Sequence, residues 1–142
     1  MNHIVVDTNV LVGALLRSKG DNREVLRRCF NHQAKPLIGN ALFREYEDLF
    51  ERPEPLGSSP IPYDDRQQLY WAFLSVCEWV RVYYLWRPNL PDEADNHLIE
   101  LAVAGGADVI ITNNIRDLQH GDLQFPQIQV LTPSEYLTLF QP

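Results

Sequence analysis

The run His3-Ile4-Val5-Val6-Asp7-Thr8-Asn9-Val10-Leu11-Val12 decides the fold class. Residues 3–6 (HIVV) are a short β-branched run ending on an acid, and residues 10–16 (VLVGALL) resume after the polar triplet Asp7-Thr8-Asn9. Strand, turn and helix are the expected order. A strand this short, apolar and without polar alternation belongs in a parallel sheet with both faces covered by helices.

The same grammar repeats outward from this run. Residues 23–32 place Val25, Leu26, Cys29 and Phe30 at helical spacing, with arginines on the other side. Residues 36–39 (PLIG) read as a buried strand, and Asn40 as the N-cap of a helix over 41–51 with Leu42, Phe43, Tyr46, Leu49 and Phe50 on one face. Residues 52–63 hold prolines at 53, 55, 60 and 62, an excursion between helices. Asp64 or Asp65 then caps a helix running through Trp79, and residues 80–85 (VRVYYL) alternate like a strand. A helix over 94–104 is stopped by Gly105-Gly106. Strands over 108–112 (DVIIT) and 128–131 follow, and Pro133 opens a last helix to about residue 139. The resulting order is β-α-α-β-α-α-β-α-β-β-α. The expected architecture is α/β: one domain over residues 1–142, three layers α/β/α around a central, mostly parallel sheet of about five strands.

Hydrophobic residues make up 45% and charged residues 22% of the 142, a globular composition that excludes a disordered chain. Cys29 and Cys77 are too few for a disulfide scaffold or a cysteine zinc site. No apolar run approaches the length of a membrane span, and the start has no signal-peptide pattern, so a reducing cytoplasm is expected. The net charge is −7, but its distribution is uneven. Residues 1–44 carry seven Lys/Arg against three Asp/Glu, and the remainder five against sixteen. A solvated helix face plus a loop is the first explanation of the basic positions Arg17, Lys19, Arg23, Arg27, Arg28, Lys35 and Arg44, and a patch for a phosphate backbone is the alternative.

The acids carry the chemistry. Asp7 ends the first strand, Glu45 lies one turn into the helix after the second, and Asp95 opens the helix after the third within Pro91-Asp92-Glu93-Ala94-Asp95-Asn96. The fourth strand ends in Thr112-Asn113-Asn114, with Asp117 beyond. Singly, each has a local explanation: Asp7 as a helix cap, Glu45 as a solvated helix residue, Asp92 to Asp95 as partners of a helix N-terminus, residues 112–114 as turn chemistry. Together they fall where open α/β sheets bind ligands, outside the carboxyl ends of the strands. Clustered carboxylates raise one another's pKa unless a cation neutralises them, and such hard oxygen donors suit Mg²⁺ or Mn²⁺.

At these residues the chain resembles the PIN-domain ribonucleases, in particular the toxins of bacterial toxin–antitoxin pairs. The opening Ile4-Val5-Val6-Asp7-Thr8-Asn9 is similar to the family's first motif, and Leu42-Phe43-Arg44-Glu45-Tyr46-Glu47-Asp48-Leu49 to its second. Asp92-Glu93-Ala94-Asp95-Asn96-His97-Leu98 and Gly105-Gly106-Ala107-Asp108-Val109-Ile110-Ile111-Thr112-Asn113-Asn114 are similar to the third and fourth, and Leu131-Thr132-Pro133-Ser134-Glu135-Tyr136-Leu137 to the C-terminal signature. Order and spacing, more than any one motif, make the likeness specific.

The resemblance implies a metal-dependent endoribonuclease. In it Asp7, Glu45 and Asp95 are the catalytic acids that hold one or two Mg²⁺ or Mn²⁺ ions, while Asn9 and Thr112 orient carboxylates and water. The fourth acid that relatives often carry two residues after the threonine falls on Asn114, a neutral residue, and Asp117 lies three residues further. Arg23, Arg27 and Arg28 become the expected RNA contacts. The partners implied are RNA and a small antitoxin chain, and a homodimer is compatible. Tyr63, Tyr70 and Trp71 serve either an antitoxin groove or the core. A catalytically weakened PIN-like module that binds RNA or a protein is the alternative, marked by Asn114. Histidine-based cleavage is excluded because His3, His32, His97 and His120 occupy unrelated contexts, with His97 expected on a helix surface. Receiver- or phosphatase-type chemistry needs a lysine after a later strand, and none follows Lys35.

Overall fold

The structure, a computed structural model, describes residues 1–52, 59–82, 96–115 and 127–141. Along them run β1 (Asn2–Val6), α1 (Thr8–Leu16), α2 (Asp21–Phe30), β2 (Ala34–Ile38), α3 (Asn40–Glu51) and α4 (Tyr63–Val76). There follow β3 (Glu78–Trp79), α5 (Asn96–Gly105), β4 (Val109–Ile111), β5 (Gln129–Leu131) and α6 (Pro133–Leu139). Over the described residues, the order of element types is the one the hydrophobic pattern predicts.

The five strands lie in the order β3-β2-β1-β4-β5, and every neighbouring pair is parallel. Ile4, Val5 and Val6 pair with Val109, Ile110 and Ile111, and all six are fully buried. Burial on both faces is what the uninterrupted apolar runs demand. Helix α5 packs across β1, β2 and β4, whereas α2 meets α1, β2, α4 and α6, which gives the three-layer α/β/α arrangement. The direction of chain progression reverses at β1, because β2 lies on one side of it and β4 on the other. The carboxyl ends of β1 and β4 therefore flank the topological switch point.

Three local expectations are corrected. The third strand is Glu78–Trp79 and not residues 80–85, of which 83–85 lie outside the described residues. Its position is set by its neighbour: Leu37 and Ile38 offer the last ladder positions of β2, and Val80 N–H donates to Ile38 O at 2.8 Å. The helix before it accordingly ends at Val76, and begins at Tyr63 with Asp64 and Asp65 in its first turn and no side-chain cap. Helix α3 is entered through an extended Gly39, so Asn40 is its first residue and not its cap. Within the proline-rich excursion, residues 53–58 lie outside the described residues.

The ends of α5 and α6 follow their sequence signals closely. Gly106 takes φ +67° just after α5, the left-handed stop that glycine adopts without strain. Thr132 and Glu135 form a reciprocal capping box with Pro133 in the first turn of α6. Gly105 is needed for space. A Cβ there would lie 2.6 Å from Leu37 Cδ1 and 3.0 Å from Val80 Cγ2. Gly105→Ala is expected to destabilise the chain by about 1–3 kcal/mol, the usual cost of overpacking, read as a lower urea midpoint. Cys29 is buried, which pushes its thiol up to about 12, so it packs as an apolar group at neutral pH. No described helix is long and apolar enough to cross a membrane.

Candidate functional site

Two backbone hydrogen bonds continue the parallel ladder past the strand ends. Asp7 N–H donates to Ile111 O at 2.9 Å, and Thr112 N–H to Leu131 O at 2.9 Å. The residues that follow β1 and β4 are thereby held side by side. Thr112, with no exposed surface, donates its hydroxyl to Asp7 Oδ2 at 2.6 Å, and Asn9 Nδ2 donates to the same oxygen at 3.2 Å. The other oxygen, Oδ1, accepts from Thr8 N–H at 2.7 Å, which makes Asp7 the N-cap of α1 as well. The carboxylate is thus oriented at both oxygens while only 5% of the residue is exposed.

Glu45 joins this centre from α3. Thr8 donates its hydroxyl to Glu45 Oε1, so one threonine bridges the two acids, through its amide to Asp7 and its hydroxyl to Glu45. On the far side, Glu45 Oε2 lies 2.9 Å from His97 Nε2 of α5. His97 corrects the sequence reading: its side chain is 16% exposed and points into the site, not out from a helix surface. Its Nδ1 is buried and, among the described residues, has no hydrogen-bond partner. The signal is its place in the first turn of α5.

The two acids differ electrostatically. Burial pushes the Asp7 carboxyl above its ordinary value, and the charge of Glu45 adds to this; the bonds from Thr112 and Thr8 oppose it only in part. Burial alone would raise Glu45 too, but the hydrogen bonds from His97 and Thr8, with the charge of His97, hold it below its ordinary value. An ionised Glu45 beside a reluctant Asp7 is a pair that a cation would relieve.

A ladder of amides borders the pair. Asn113 N–H donates to Asn9 Oδ1 at 3.1 Å, and Asn113 Nδ2 lies 3.3 Å from Asn22 Oδ1. Asn114 N–H donates to Thr112 Oγ at 2.9 Å, so the backbone of the neutral fourth position abuts Asp7's own partner. Asp95 and Asp117 lie outside the described residues. Among the described residues no group of three or more His, Cys, Asp or Glu is arranged to hold a metal ion.

The expected RNA contacts have intramolecular partners. Arg23 Nε donates to Ala14 O at 2.8 Å, and Arg27 pairs with Glu24 and donates to Ser18 O at 3.0 Å. Arg28 donates to Phe140 O and lies 5.8 Å over the Tyr136 ring, which fastens α6 to α2. Of the aromatics, Tyr70 belongs to the core, whereas Tyr63 and Trp71 are exposed on α4.

A family model described as PIN domain matches residues 3–116. Among solved structures, a chain of the complex described as VapBC2 from Rickettsia felis bound to a DNA fragment from their promoter has the same fold, with a TM-score of 0.56 and 16% identity. The alignment covers 90% of the present chain and 96% of that one. No curated protein matches the sequence.

Proposed function

The chain belongs to the PIN-domain family, and from that premise we propose that it is a divalent-metal-dependent endoribonuclease, the toxin of a cytoplasmic toxin–antitoxin pair. The observation that carries the reading is the Asp7–Thr8–Glu45 bridge at the switch point of the sheet. Two carboxylates held this close, one of them raised by burial and by its neighbour's charge, are oxygen donors suited to Mg²⁺ or Mn²⁺. Asp7 and Glu45 would hold the ion together with Asp95, and Asn114 and Asp117 are the candidates for a fourth position. When bound, such a cation acidifies water and offsets the charge that builds on a scissile phosphate.

The remaining work falls to the chain's own side chains. Thr112, Asn9 and the Thr8 amide fix the Asp7 carboxylate before any ligand arrives, and His97 does the same for Glu45 Oε2. Proton and cation compete for Asp7, so metal affinity should fall as pH drops toward its raised pKa. The attacking group is water, and no covalent enzyme intermediate forms. RNA contact through Arg23, Arg27 and Arg28 belongs to the same proposal, but neutralising all three would loosen packing as well as remove charge. A small antitoxin chain as partner is supported by the structural neighbour, which was solved as the VapBC2 assembly.

The test is cleavage of a mixed RNA substrate by the full chain. Cleavage with Mn²⁺ or Mg²⁺, its loss in EDTA and its return on adding metal are expected. RNA binding without cleavage under every metal condition would instead identify the catalytically weakened module.

A further inference from the structure

Beside the acidic pair lies a cleft of about 690 Å³ at the carboxyl ends of β2 and β3, lined by residues including Arg44, Trp79, Arg81, Val82, His97 and Leu101. We infer that this cleft is a nucleotide subsite, in which one RNA base stacks on Trp79 while Arg44 and Arg81 hold the flanking phosphates. The inference rests on the ribonuclease reading above and adds to it the residues that seat the substrate.

Four observations converge on it. First, Trp79 is 54% exposed, an unusual state for a large ring in a strand of a small sheet. It is nevertheless fixed, since the Phe43 ring packs against it with centroids 5.3 Å apart. A ring held on one side and open on the other is what a stacking platform requires, because every base offers a π-face. Second, Arg44 and Arg81 are exposed at the same cleft and, among the described residues, neither makes an ion pair. The arginines of α2, by contrast, are engaged within the chain. In a chain of net charge −7, and with the buried Glu100 in the same lining, two exposed guanidinium groups without an ion pair among the described residues, beside one open ring, mark a local site for a polyanion. Third, the volume falls within the range of roughly 300–1,000 Å³ typical of small-ligand sites. Fourth, His97 lines the cleft, and its Nε2 lies 2.9 Å from Glu45 Oε2. A nucleotide seated in this cleft is therefore separated from Glu45 by the His97 side chain.

The test uses the full chain in EDTA, where no cleavage occurs, with fluorescein-labelled uridine and adenosine dodecamers and anisotropy as readout. Trp79→Ala is expected to weaken binding of both about tenfold, since stacking tolerates any base, while Trp79→Phe retains most of the affinity. Arg44→Ala/Arg81→Ala should lower the slope of log Kd against log salt by about 1.4, which is two single-strand phosphate contacts. Wild-type affinity in Trp79→Ala, or an unchanged salt slope in the double variant, would overturn the subsite. Should Trp79→Ala fail to fold by circular dichroism, Trp79→Phe and the arginine pair decide. The two readings fail differently. If the wild-type chain cleaves RNA and these variants bind it normally, the subsite alone falls. If the wild-type chain neither binds the dodecamers nor cleaves RNA with Mn²⁺, the ribonuclease reading falls and the subsite with it.

Discussion

Asp7→Asn is expected to lower metal-dependent RNA cleavage by at least about a hundredfold, because losing even an outer partner of a metal ligand costs about 10–100-fold. The change keeps the shape of the side chain and removes its charge. Asparagine offers one acceptor oxygen where the carboxylate offers two to Thr8, Thr112 and Asn9. In metal-free protein it is therefore the melting temperature relative to wild type that should rise from acid to neutral pH. The sign follows from the direction of the shift. Asp7's folded pKa lies above its ordinary value of 3.8, so the folded state holds this proton more tightly than the unfolded chain. The stability tied to that proton is fully present below the ordinary value and is lost as pH rises through the folded pKa. Asparagine has no proton to lose, so the gain appears at neutral pH and fades in acid. A relative melting temperature in EDTA that does not rise between acid and neutral pH, or cleavage within tenfold of wild type, would contradict the role given to Asp7. Tenfold corresponds to only about 1.4 kcal/mol of barrier.

Thr112→Val should have the largest effect on stability among the site variants. The Thr112 hydroxyl is buried, donates to Asp7 Oδ2 at 2.6 Å and accepts from Asn114 N–H at 2.9 Å. Valine leaves Oδ2 with the longer bond from Asn9 and removes the acceptor of the Asn114 N–H bond. A hydrogen bond to a charged group contributes about 2 kcal/mol, roughly 6 °C in melting temperature for a chain of this size. The Thr112 bond favours ionised Asp7, so its loss drives the Asp7 carboxyl further up. The penalty is full while Asp7 is ionised, and shrinks as acid protonates it. Melting curves at neutral and acid pH check this, and in an Asp7→Asn background the cost of Thr112→Val should be smaller. Equal melting temperatures at neutral pH would show that the bond contributes nothing.

The order of strands and helices was legible because its signals are local. Residues 3–6 and 109–111 are too apolar for a half-exposed strand, and Val25, Leu26 and Cys29 mark one helical face without knowledge of the rest. The capping box at Thr132 and the left-handed Gly106 are equally local. What escaped depends on partners distant in sequence. The alternation in 80–85 says strand, but the ladder is set by where β2 stops, and so β3 is Glu78–Trp79. The arginines of α2 look like a solvated stripe until α6 brings the Phe140 carbonyl to Arg28. The roles of His97 and Thr8 are hidden in the sequence for the same reason. Their partner, Glu45, is 52 residues from one and 37 from the other. The sheet edge shared by Asp7 and Thr112 was legible because strand-end placement follows from topology alone.

The central claim is that the acids at this edge hold a divalent cation, and calorimetric titration of Mn²⁺ into the full chain tests it most directly. The wild-type chain should bind Mn²⁺ stoichiometrically at neutral pH, and Asp7→Asn at least about tenfold more weakly, because hard cations respond to ligand charge. No saturable heat with the wild-type chain, or equal affinities for the two proteins, would contradict it.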